Sequence, residues 1–363
     1  MSLSNEAIKR LPLMIMAMFS LLTALLGGIV RLGWVLPTPL STLSPFHGPL
    51  MVSGFLGTLI GLERAVALDC GWTYIPPLFT GLGAIALVAG FEGFVGPILL
   101  TAGSSGLIVI FVSLFRLQPA IHTVIMGIGA FSWFIGNLIY LSGSPVFQAV
   151  SWWGGFLILT IAGERLELSR MLRPAGIARV LFLVVVSILF SGMVWTWFVF
   201  DAGIRLTGLG MILMALWLMR YDIARRTVRQ TGLPRFIALC LLSGYIWLAV
   251  SGVMALFYGG AEAGPAYDAI LHTLFLGFVF VMIFGHAPVI FPAVLGLPVR
   301  FSHRFYIHMI LLHLTLFLRI VGDLFAWLPG REWGGLLNVL AILLFFVNTL
   351  LSTRSSNMEG LIS

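Results

Sequence analysis

The sequence predicts an all-α polytopic membrane protein, and three observations carry that expectation. Of its 363 residues, 60% are hydrophobic and 9% charged, with a mean hydropathy of +1.08. A soluble domain carries about 25% charged residues, so this chain is built for lipid. Apolar runs recur along its whole length at the roughly 20 residues that cross a bilayer. Its basic residues fall unequally on the two sets of loops that those runs define.

In chain order the apolar ruler gives twelve spans, with limits near 11–31, 47–68, 74–92, 96–115, 120–141, 146–168, 177–200, 203–220, 235–258, 268–291, 304–325 and 333–352. The breaks carry Gly, Pro or charge: Pro37 and Pro39, Pro76 and Pro77, Arg173 and Pro174, Gly259 to Pro265, and Pro292 to Arg300. Lys9 and Arg10 precede the first run as in a signal peptide. The run lacks a small-residue cleavage site, so it reads as a retained helix. The whole of 1–363 is expected to be a single twelve-helix membrane domain.

Orientation follows from the positive-inside rule. Lys9, Arg10, Arg64, Arg116, Arg165, Arg170, Arg173, Arg179, Arg220, Arg225, Arg226, Arg229, Arg235, Arg300, Arg304 and Arg354 collect on one side. Only Arg31, Arg205, Arg319 and Arg331 collect on the other, which completes the 20 basic residues. Both termini are therefore expected in the cytoplasm. The net charge of +7 belongs to these loops and does not point to nucleic acid. Two cysteines are too few for a disulfide framework.

Residues 54–64 (GFLGTLIGLER) align without gaps onto 155–165 (GFLILTIAGER). The match pairs Gly54 with Gly155, Phe55 with Phe156, Glu63 with Glu164 and Arg64 with Arg165, on spans two and six. Span ten carries a fainter echo at 277–287, GFVFVMIFGHA. A period of four helices in twelve spans predicts three pseudo-repeats of four helices.

Spans two, six and ten then run in the same direction, and His47 and His272 open spans two and ten near the outer face. Two imidazoles from parallel helices can ligate one heme iron from opposite sides. Ionisable groups inside a membrane are functional candidates. The competing reading is that each histidine hydrogen-bonds within the helix packing.

HGPLM at 47–51 matches the HGxxM pattern with which helix two of heme–copper oxidase catalytic subunits presents a heme ligand. HTLFLG at 272–277 resembles the histidine-bearing start of helix ten in that superfamily. The resemblance implies an oxidase-like frame with heme b held by His47 and His272, and Met51 packed at the heme edge. Arg319 would contact the heme propionates with its forked donors, or else pair with Asp323 four residues on.

The departures are as informative. There is no histidine between His122 and His272, so the oxidase copper ligands are absent, and position 270 is Ile270. What remains is similar to the NnrS-type branch, heme-containing membrane proteins implicated in the response to nitric oxide. Such a likeness implies nitric oxide or a redox partner, and leaves open whether the protein is an enzyme. A second metal site, holding copper, is conceivable at His286, His308 and His122; interfacial histidines on a basic face explain the same pattern.

The Glu-Arg pairs 63–64 and 164–165 end their helices as a structural charge network or as part of a proton or anion path. The alternative to the heme reading is a twelve-helix secondary transporter, for which GLERAVALD at 61–69 resembles a carrier loop. Such carriers repeat at six helices, and the loop after span eight, MRYDIARRTVRQ, has no echo. A non-catalytic assembly or sensor protein is the third possibility.

Overall fold

The computed structural model describes residues 5–91, 93–170, 176–296 and 298–359. Among them, twelve helices are long and apolar enough to cross a membrane. They are α1 (Ala7–Arg31), α2 (Leu40–Leu68), α3 (Gly71–Val88), α4 (Val95–Leu117), α5 (Ile121–Leu141), α6 (Val146–Ser169), α7 (Gly176–Trp195), α8 (Phe200–Tyr221), α9 (Gly232–Tyr258), α10 (Gly264–Val294), α11 (Phe305–Leu324) and α12 (Leu328–Thr353). The chain is a multi-pass membrane protein, with each span where hydropathy predicts one. The expected break at Arg173 and Pro174 lies outside the described residues.

Two boundaries differ from expectation for identifiable reasons. A 3-10 helix, Leu40–Phe46, runs directly into His47, so the histidine lies inside α2 and not at its entry. At the other end, helix continues through Pro288 and Pro292 to Leu295 where a break at Pro292 was expected. A proline removes one backbone donor, a loss that helix neighbours in a membrane protein can make good.

Two spans change their winding midway. In α2 the residues Leu50–Gly57 form a π-helix between α-helical His47–Pro49 and Thr58–Leu68. In α10 the residues Thr273–Phe280 form a second π-helix, entered from α-helical Gly264–His272. Long π-helical stretches are rare, and single π turns concentrate at functional sites. Leu50 to Thr273 is 223 positions, as is Gly54 to Gly277, so the two π segments coincide under the spacing that aligns the glycines. His47 falls on Ile270 under that spacing, so the two histidines do not occupy matching positions. The corresponding part of α6 is ordinary α-helix.

The chain divides into two compact units, Ser2–Gly163 with Val294–Gly296, and Glu164–Ala293 with Leu297–Ser363. In the N-terminal unit α1 packs on α2 and α3, α3 on α4, and α4 on α5. Its centre is polar and fully buried. Trp133 Nε1 donates to Ser53 Oγ (2.9 Å), Ser53 Oγ donates to Asn137 Oδ1 (2.7 Å), and Trp153 Nε1 donates to the same oxygen (3.0 Å). Asn137 Nδ2 completes the set on the Leu100 carbonyl at 3.2 Å. A satisfied network of this kind specifies one packing, and here it grips the π segment through Ser53. In the C-terminal unit α7 packs on α8, α8 on α9, α9 on α10, α10 on α11 and α11 on α12.

Candidate functional site

His47 belongs to the N-terminal unit, where its ring lies on α1. Nδ1 is 2.7 Å from the Ala24 carbonyl oxygen. A carbonyl only accepts, so Nδ1 carries a proton. Gly28 makes this placement possible: a Cβ there would stand 2.9 Å from Cε1 and 3.0 Å from Nδ1 of the ring. Met51, expected at a cofactor edge, packs with Phe46 and Tyr140 onto Ala24, Leu50, Ala84, Leu87 and Leu100.

His272 belongs to the C-terminal unit, at the end of the first α-helical segment of α10. Nδ1 donates to the Asp268 carbonyl one turn back (2.9 Å) and lies 3.3 Å from Oδ1 of the same residue. Nδ1 therefore carries a proton. Arg319 of α11 grips Asp268 with both arms of its fork, Nε to Oδ2 and Nη2 to Oδ1, each at 2.8 Å. The pairing of Arg319 with Asp323 expected from their spacing is thus replaced by a partner on another helix. Asp323 instead faces Arg331 of α12, with Nε 3.2 Å from Oδ1.

Two glycines make the site possible by bringing α11 and α12 together. A Cβ on Gly334 would stand 2.6 Å from the Arg319 nitrogen, and a Cβ on Gly322 would meet the Arg331 nitrogen at 2.2 Å. Each arginine is therefore backed by a glycine of the opposite helix. Two guanidinium groups thus face the Asp268 and Asp323 side chains.

The other histidines sort by the partner of Nδ1. His286 donates Nδ1 to the Met282 carbonyl at 2.8 Å, as His47 and His272 do to theirs. His313 does the reverse: Trp247 Nε1, a pure donor, is 2.9 Å from its Nδ1, and its Nε2 lies 3.1 Å from Ser243 Oγ. His308 also accepts at Nδ1, from Asn348 Nδ2 at 3.2 Å, and that amide is oriented by the Arg304 carbonyl. The protonated Nε2 of His308 sits among the rings of Phe236, Phe284, Phe305 and Phe345. Both His308 and His313 have spent the lone pair a metal would need.

His122 is buried in α5. Among the described residues no group of three or more His, Cys, Asp or Glu side chains stands ready to hold a metal ion. The second site expected of His286, His308 and His122 has no such group to rest on, and His308 is chemically unsuited to it.

The two Glu-Arg pairs part company. Arg165 forms a buried two-point contact with Asp222, Nε to Oδ2 at 2.6 Å and Nη2 to Oδ1 at 3.2 Å, and Asp222 also accepts from the Ala224 amide. Arg64 pairs with its neighbour Glu63 at 3.4 Å and lies over the Phe111 ring.

Sequence reasoning missed Asp268, Arg331 and the Ser53–Asn137 network. The Asp268–His272 spacing of four residues on α10 was the available signal for the first.

Fold and site together define an all-α multi-pass membrane protein with a part-buried histidine–carboxylate–arginine cluster. Residues 10–354 match the family described as Domain of unknown function (DUF8744), and the chain belongs to that family. No curated protein matches it.

Proposed function

We propose that the chain is a heme-binding protein of the bacterial inner membrane with both termini cytoplasmic, similar to the NnrS type. In this reading His47 and His272 are the axial ligands of a heme b, and the protein serves the response to nitric oxide or electron transfer. The frame is oxidase-like, with three pseudo-repeats of four helices and without the oxidase copper ligands. Heme iron would supply one-electron chemistry or a binding position for a diatomic molecule.

The observation that carries this reading is that both histidines stand beside a π segment with Nδ1 on a backbone carbonyl. Each has Nδ1 tied to a backbone carbonyl, an outer-shell arrangement that orients a ligating imidazole. Each stands within three residues of a π segment, and those segments coincide under the span two to span ten spacing. Arg319, expected at the propionates, gives Nε and Nη2 to Asp268, so its part here is to hold that carboxylate.

A secondary transporter is the second reading, and the division into two units supports it. Each unit carries six spans, apart from the end of α6 beyond Gly163. Carriers built on six-helix repeats pair span two with span eight. The π segments lie on spans two and ten instead, which favours the heme reading.

The test is an absorption spectrum of protein purified from heme-replete cells, oxidised and dithionite-reduced. A Soret band with a sharp reduced α-band is expected; protein devoid of heme under those conditions overturns the reading.

A further inference from the structure

We infer that Asp268, clamped by Arg319, is the positioning residue for His272 and sets the donor strength of its ring; this rests on the heme reading above. The geometry is that of a carboxylate–histidine pair. Nδ1 of His272 meets the Asp268 carbonyl at 2.9 Å and the Asp268 carboxylate at 3.3 Å, so one residue supplies both acceptors. The ring is fixed with Nε2 facing away from Asp268. A carboxylate behind an imidazole raises the basicity of the far nitrogen and stabilises the more positive metal state bound there.

Arg319 makes the arrangement definite. Its two contacts at 2.8 Å hold the carboxylate in one plane. Arg331 adds a more distant positive charge, with Nη2 4.0 Å from Asp268 Oδ1. Nδ1 of His47 meets the carbonyl of Ala24 at 2.7 Å. His272 is the ring with an anion behind it.

The experiment is a redox titration of full-length Asp268→Asn beside the wild type, followed by the heme bands. Asn keeps the size and the backbone carbonyl and removes the charge. We expect heme to be retained and the midpoint potential to shift positive, with Asp268→Glu returning it toward the wild-type value. Because Asp268→Asn leaves Arg319 without its counter-charge, the double variant Asp268→Asn/Arg319→Gln is measured as well, and a smaller positive shift is expected there, since the paired positive charge is removed with the negative one. Wild-type protein with heme, and an unchanged potential in both variants, overturns the inference alone. Wild-type protein without heme overturns the reading on which it rests, and the inference with it.

Discussion

His47 and His272 differ from His308 and His313 in the partner of Nδ1, a carbonyl in the first two and a Trp or Asn donor in the others. A carbonyl leaves the imidazole lone pair on Nε2; a Trp or Asn donor at Nδ1 consumes it. Hydropathy and spacing treat all four alike, which is why His308 entered the expected second site. Gly28 carries a similar message for His47. A methyl group there would press on the ring at 2.9 Å, and a well-packed interior does not yield easily. Gly28→Ala is expected to displace His47 and diminish the reduced α-band while the protein still accumulates. Gly71→Ala, where a Cβ meets nothing within 4 Å, is expected to leave the band unchanged. Equal spectra for both variants would show that the His47 ring is not where the band originates.

At the level of elements, the twelve spans were legible because length and apolarity are properties of each run by itself. The π segments were not, since α and π windings of an apolar helix have the same composition. The echo of Gly54-Phe55 at Gly277-Phe278 was the only trace of their correspondence. Arg319 illustrates the other failure. Asp323 is four residues away on the same helix, but Gly334 and Gly322 bring α12 close enough to occupy Asp323 with Arg331. Arg319 is left to Asp268, a partner that one-helix spacing cannot reveal. Arg165 found Asp222 in the same way, across 57 residues of sequence. Their buried pair predicts a specific pattern in thermal unfolding in detergent. Arg165→Met alone strands a buried carboxylate and should cost about 3–5 kcal/mol. The double variant Arg165→Met/Asp222→Leu should recover most of that loss. A double variant as unstable as the single one would mean that the pair is not energetically coupled.

For the whole molecule, the charge asymmetry makes a claim about orientation that thiol chemistry can check. Cys70 is exposed between α2 and α3, and Cys240 is buried in α9. With cytoplasmic termini, the α2–α3 connection faces the cytoplasm. A membrane-impermeant maleimide should therefore label Cys70 in inverted vesicles and not in intact spheroplasts, with Cys240 unreactive in either until denaturation. Labelling in spheroplasts alone would reverse the topology and place His47 and His272 at the opposite face.

The central claim is that His47 and His272 serve one heme, and the reduced α-band of three single variants tests it most directly. His47→Ala and His272→Ala should each abolish the low-spin band, while His313→Ala, whose Nδ1 is engaged by Trp247, should retain it. A band that survives either of the first two substitutions, or one lost equally in all three, would contradict the account.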